Sequence, residues 1–288
     1  MSQTQRIAYG SSFASFGEIV QGRRSDGEDF LVTLPVDMWT TCRLVCQPVA
    51  GASVVETELA KSRRVAEYLL EFMGLRAGVK IGLEFARGIP IGKGLSSSTA
   101  DMLAAVRAFS QAFGLVISED FIAQMFAAIE PHDGLQYSTS VVYNHRKGKL
   151  LNKFDLIPSY AIVAVDSGGE VCTVEYNKNL DFSAAFLREY DRLYGELLRA
   201  FAQRDFRGIA QCARRSAELH VQRTGNTFLA AVLDKAARLD VLGVLATHSG
   251  TCGGLLLPGD ASGNLLDRVE AEISEIGRVF RTRTLQRL

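Results

Sequence analysis

Fourteen residues, "GIPIGKGLSSSTAD" at 88–101, contain three glycines, a proline, a lysine and a run of four hydroxyls, and the apolar "MLAAVRAFSQAFG" follows at once. Glycine lets a backbone approach a ligand closely and adopt positive φ without a steric penalty. A helix start offers unpaired N–H groups and the positive end of a dipole. Placed together, these features make an anion site suited to phosphate. Lys93 adds a positive charge, and a hydroxyl can serve as a Mg²⁺ ligand. The run is not a P-loop, which needs G-x-x-x-x-G-K-[ST]: Arg87 stands at the first glycine position and Gly94 follows the lysine. The purely structural alternative is a strand-to-helix turn with a serine N-cap.

Two other stretches are dense in small residues: "SSFASFGEIVQG" at 11–22 and "ATHSGTCGG" at 246–254. Within the second, "GTCGG" fits a G-x-C-x-G nucleophile elbow, with His220 or His248 as activator of Cys252. An elbow must lead from strand into helix, whereas here it leads into the strand-like "LLLPG". The loop "EPHDG" holds Glu130 and Asp133 three residues apart, so both carboxylates can face one pocket. Asp133 there is a candidate general base, or simply an Asp-Gly turn residue. His132 is a weaker candidate.

The elements that must position these residues follow from periodicity and punctuation. "RIAYGSSFA" begins as a short strand that dissolves into small residues, and "DFLVTLPVDMWTTCRLVCQPV" reads as two strands punctuated by Pro35 and Asp37. Helices are expected over 58–73, 97–113 and 118–130, the last with Ser118 as N-cap and Pro131 as its stop. A hairpin around "RKGK" and the strand "SYAIVAVDSG" come next. The remainder reads as helices over 183–202, 205–222 and 227–238, the strands "VLGVLATHS" and "GGLLLPG", a helix over "GNLLDRVEAEISEIG" and a closing strand "RVFRTRTLQ". The class is α+β, with a domain boundary near 155–160.

The 288 residues are 47% hydrophobic, with 32 basic and 32 acidic side chains. No basic stripe with interleaved aromatics points to nucleic acid, no run suits a membrane span, and the N-terminus lacks a signal-peptide h-region. Five scattered cysteines without a C-x-x-C pair support neither a disulfide framework nor a zinc site, and imply reduced thiols in a cytoplasm-like compartment.

"PIGKGLSSSTA" resembles the P-x₃-G-L-S-S-S-A phosphate motif of the GHMP kinases, "SSFASFGEIVQG" resembles that family's first motif, and "ATHSGTCGG" its third. The wording "GEIVQG", "LVTLPVD" and "EPHDG" before "VVYNHRKGKL" is most similar to the L-threonine kinases of cobalamin synthesis. The resemblance implies a two-domain fold, with a ribosomal protein S5-like N-terminal domain over 1–157 and a ferredoxin-like C-terminal domain over 158–288. It also implies ATP and Mg²⁺ as cofactors and a small-molecule hydroxyl as substrate, L-threonine or a close relative. Homoserine or another small alcohol is the alternative substrate, and a non-catalytic nucleotide sensor the alternative from another class. By the resemblance, Pro90, Gly92, Lys93, Gly94, Leu95, Ser96, Ser97, Ser98 and Thr99 hold the nucleotide phosphates, with Lys93 also catalytic. Ser98 and Glu130 bind the metal, and Asp133 either acts as base or, as in family members without one, positions the substrate. Glu18, Ser249, Gly250 and Thr251 face the substrate and the transferred phosphate. Ser11 and Phe16 depart from the family pattern and imply an altered substrate loop. The oligomeric state stays open, a homodimer included.

Overall fold

The structure, a computed structural model, describes residues 5–169, 182–247 and 250–286. Two long antiparallel strands, β1 (Arg6–Arg23) and β2 (Asp29–Ala52), form its spine. Each differs from the expectation in the same way: β1 does not dissolve, and β2 is one strand rather than two. Register shifts at Phe13/Ala14, Ser15/Glu18 and Glu18/Gln21 bend the pair. Bulges of this kind absorb the small residues and the proline without ending the ladder. Pro35 lacks an N–H, but its neighbour Leu34 donates to Ser15 Oγ at 3.1 Å, and its own carbonyl accepts from Leu285 at 2.9 Å.

A short strand β3 (Val54–Glu56), not expected from the sequence, runs parallel to β4 (Ala77–Arg87). Between them, α1 (Ala60–Phe72) buries Val65, Ala66, Leu69 and Leu70. Helix α2 (Ser97–Phe113) lies against β1 and β2, and ends at Gly114 with φ 66°. Helix α3 (Glu119–Ala127) begins at Ser118, whose hydroxyl accepts from Phe121 N–H, and stops short of Pro131, so Glu130 lies on a bend beyond it. The hairpin is β5 (Val141–Asn144) and β6 (Lys149–Lys153).

The second half comprises β7 (Tyr160–Asp166), α4 (Ala184–Ala202), α5 (Phe206–Thr224), α6 (Thr227–Ala236), β8 (Gly243–Ala246), β9 (Cys252–Pro258), α7 (Gly263–Ile273) and β10 (Arg278–Arg283). The sheet runs β10-β7-β9-β8-β1-β2-β4-β3, with β5 and β6 branching from β2. Among the described residues its two halves meet at Glu18 opposite Ala246 and at an isolated bridge between Val36 and Thr284. The largest core cluster takes buried side chains from both halves, Phe13 and Met102 as well as Tyr160 and Leu256. No described helix is long and apolar enough to cross a membrane. Cys42, Cys46, Cys212 and Cys252 are free and buried; Cys172 lies outside the described residues.

Candidate active site

The run 88–96 is a turn rather than a strand or helix. Its entry is fixed by the Gly88 N–H, which donates to the Trp39 carbonyl at 2.9 Å. Leu95 is buried and pins its far end, while Pro90 is exposed. Gly92, Gly94 and Ser96 all take positive φ, at 68°, 75° and 58°. At Gly94 a Cβ would also meet the Thr247 Cβ at 2.5 Å. Ser96 occupies the N-cap position of α2, but in this left-handed conformation no side chain caps the helix. The N-cap expectation therefore fails at Ser96, and the first intrahelical bond is the one from Ala100 N–H to the Ser96 carbonyl at 2.9 Å. Ser97 and Thr99 turn inward and are buried, whereas Ser98 is half-buried.

The Ser98 hydroxyl donates to Glu130 Oε1 at 2.5 Å, so the two residues expected at a metal do meet. The other Glu130 oxygen pairs with Lys61, a residue the sequence reading did not single out. Asp133 is partly accessible to solvent. Burial pushes its carboxyl up to about 7, and the charges of Glu18 and Glu130 act in the same direction against an opposing hydrogen bond with Ser96. His132 turns away from this group: its Nε2 lies 3.1 Å from the Ala123 carbonyl and 2.8 Å from the Tyr143 hydroxyl. Burial pushes its ring down to about 4. Gly134 (φ 71°) packs over the Tyr143 ring, where a Cβ would approach to 3.1 Å. Asp133 thus stands between two anchored neighbours.

The first and third small-residue stretches close on the same loop. Gly17 N–H donates to the Gly94 carbonyl at 3.2 Å, and a Cβ on Gly17 would lie 2.4 Å from the Ala246 oxygen. Glu18, the next residue, is 8% exposed. A Cβ on Gly250 would fall 2.2 Å from the Lys93 carbonyl oxygen. Glycine in these places is a packing requirement. Thr251 is buried, and its hydroxyl donates to Asp166 Oδ1 at 2.5 Å. Ser249 and His248 lie outside the described residues.

Lys93 Nζ is engaged by Asp166 Oδ2 at 2.8 Å and by the Gly169 carbonyl at 2.5 Å. Phe16 is fully buried against Gly254 and Phe280, and the segment around it is strand β1 rather than a loop, so its departure from the family pattern is a matter of core packing. Cys252 starts strand β9, and burial, then the Asp166 charge, pushes its thiol up to about 12. A neutral, buried thiol leading into a strand is no nucleophile.

Sequence reasoning also missed a buried group beneath the loop: Asp101 accepts from Thr40 Oγ1 at 2.8 Å and pairs with Arg87 at 2.7 Å, tying α2 to β2 and β4. Burial raises the Asp101 carboxyl despite both partners. A cleft of about 510 Å³ lies between the 56–59 segment and β4, lined by Glu56, Glu58, Leu59, Glu84, Phe85 and Arg87 among others.

The described arrangement is a glycine-rich turn before an uncapped helix, with carboxylates and small-residue turns converging on it. Models of the GHMP kinases N terminal domain and the GHMP kinases C terminal region match residues 59–140 and 197–275. The chain belongs to the GHMP kinase family, and so is a phosphotransferase of that two-domain fold. It is 26% identical over 254 residues to an L-threonine kinase of Citrobacter freundii, covering 85% of this chain and 84% of that one. It is 26% identical over 276 residues to an L-threonine kinase of Salmonella typhimurium, covering 93% and 88%. The solved homoserine kinase of Cytophaga hutchinsonii superposes with a TM-score of 0.72 at 14% identity, covering 99% of this chain and 96% of that one.

Proposed function

We propose that the protein uses MgATP to phosphorylate the side-chain hydroxyl of L-threonine or a closely related hydroxy amino acid. The observation that carries the reading is Asp133: a carboxyl with a proton affinity near neutrality, bonded to Ser96 beside the open start of α2. A base with a pKa near the working pH accepts a hydroxyl proton most effectively. The 26% identity to two L-threonine kinases favours threonine as the acceptor.

The donor set fits the nucleotide and its metal. The first-turn N–H groups of α2 have no side-chain cap, and Ser98 Oγ and Glu130 Oε1 are adjacent oxygens of the kind Mg²⁺ prefers. Ser96, Ser97, Ser98 and the glycine turn would hold the phosphates, Ser98 and Glu130 the metal, and the cleft beside Arg87 has room for a nucleoside. Bound there, MgATP supplies the phosphoryl group and neutralises charge on it. Glu18 would take the ammonium of the substrate, and Gly250 and Thr251 would border the phosphate from the C-terminal half. Asp133 accepts the hydroxyl proton while the substrate oxygen bonds to the γ-phosphorus and the bridging oxygen departs with ADP. We further propose 1–157 and 158–288 as the two structural units, divided in the segment between β6 and β7.

ADP release measured with Mg²⁺, ATP and a panel of L-threonine, L-serine, L-homoserine and simple amino alcohols tests the reading. The highest kcat/KM is expected with L-threonine. Preference for L-homoserine would keep the chemistry and overturn the substrate, and tight ATP binding without turnover on any acceptor would favour a nucleotide sensor.

A further inference from the structure

Asp166 ends β7 and belongs to none of the three small-residue motifs, yet it holds a residue from each of two of them. Its Oδ2 accepts from Lys93 Nζ at 2.8 Å, and its Oδ1 accepts from the Thr251 hydroxyl at 2.5 Å and from Gly168 N–H at 3.0 Å. The next residue grips the same turn: Ser167 donates to the Thr251 carbonyl through its N–H at 3.0 Å and its hydroxyl at 3.2 Å. Gly250 meanwhile packs directly on the Lys93 backbone.

The side chains of Lys93 and Asp166 are only 16% and 15% exposed, so water screens the pair less than it does an exposed ion pair. Burial works against ionisation of Asp166, but the bonds from Lys93, Thr251 and Gly168 prevail and hold the carboxyl below its usual range. A lysine ammonium has three hydrogens. Asp166 and Gly169 take two of them, which leaves one for a ligand. Fixing a free lysine side chain costs rotamer entropy, and here that ordering precedes any ligand.

We propose that Asp166 is a positioning residue: it presets the Lys93 ammonium and the Thr251 hydroxyl against the phosphate loop, so that both meet the transferred phosphate in a fixed place. This rests on the phosphoryl-transfer reading above. The opposite arrangement, in which Asp166 competes with phosphate for Lys93, predicts a different kinetic signature.

The test uses Asp166→Asn, Lys93→Met and their combination in the full-length protein. The double variant restores charge balance should Asp166→Asn alone leave the buried lysine destabilising. With Asp166→Asn, kcat is expected to fall about tenfold while the KM for ATP changes less than about threefold, as misplacement at a transfer site does. The same change in the Lys93→Met background should have a smaller effect than in wild type, because the Lys93 contact is already gone and only the Thr251 contact is left to lose. In the ligand-free protein, amide exchange at Lys93–Leu95 and at Thr251–Cys252 should quicken about tenfold with Asp166→Asn. Unchanged exchange, or a KM for ATP that falls severalfold with kcat retained, would overturn the proposal. If the wild-type protein turned over no acceptor, the kinase reading would fail, and the exchange measurement would still decide the clamp.

Discussion

Helices α2 and α3 both start on serine, and they use it in opposite ways. Ser118 takes an extended backbone (φ −70°, ψ 151°), and its hydroxyl caps α3 through Phe121 N–H. Ser96 is left-handed (φ 58°, ψ 27°), and no side chain caps α2. Ser183, Asp205, Asn226 and Ser262 cap their helices as Ser118 does. A capped start is finished locally. The start of α2 instead keeps its donors available and sends the Ser96 side chain to Asp133, at the conformational cost of a positive φ in a non-glycine residue.

The contrast can be broken most severely at Gly94. Gly94→Ala puts a methyl 2.5 Å from the Thr247 Cβ at φ 75°, and ADP release should fall by about 100-fold or more as the loop shifts. Gly114→Ala, also at positive φ but facing open space, should cost about 1–2 kcal/mol in denaturant unfolding and leave turnover intact.

The next effect is in pH. Asp133 must be deprotonated to accept a proton, so kcat/KM should rise as pH passes through about 7, a limb missing from whatever activity Asp133→Asn retains. Stability has the opposite sign. The folded carboxyl binds its proton more tightly than the unfolded one, so this contribution is complete below the unfolded pKa near 4 and is lost as pH rises through about 7. Asp133→Asn should therefore melt a few degrees higher than wild type at pH 8, by roughly 1–2 kcal/mol, and the gap should close toward pH 4. A variant less stable than wild type at pH 8 would contradict the strained carboxylate.

Ser98→Ala removes the hydroxyl bonded to Glu130 and should lower kcat about tenfold while raising the Mg²⁺ concentration needed for half-maximal rate. Ser118→Ala sets the lower end: about 1 kcal/mol of stability by denaturant unfolding, with turnover unchanged.

The helices were largely legible because their apolar faces and stops are local. Gly114 ends α2 and Ser118 opens α3 as the sequence indicates. The long strands were not, because what carries β1 through "GSSFASFGE" is its pairing with β2 and with Ala246, far away in sequence. The site shows the same divide. The loop before α2 and the carboxylates of "EPHDG" announce themselves by composition, and the structure brings Ser98 to Glu130 and Ser96 to Asp133. Asp166, Lys61 and the Arg87–Asp101–Thr40 group gain their meaning only from tertiary partners: Arg87 and Asp101 lie 14 positions apart, and the Asp166–Lys93, Lys61–Glu130 and Thr40–Asp101 contacts each span more than 60. An acid ending an apolar strand just before two glycines, as in "AVDSGG", was the one available signal for Asp166. Phe16 shows the reverse error, since its departure from the motif suggested an altered substrate loop where core packing decides.

Transfer of label from γ-labelled ATP to L-threonine, with the product identified by mass, tests the central claim most directly when wild type and Asp133→Asn are compared at pH 8. Labelled O-phosphothreonine from the wild-type protein and a rate lower by about 100-fold or more in the variant is the expected result. Label appearing only as inorganic phosphate, or equal transfer by both proteins, would contradict it.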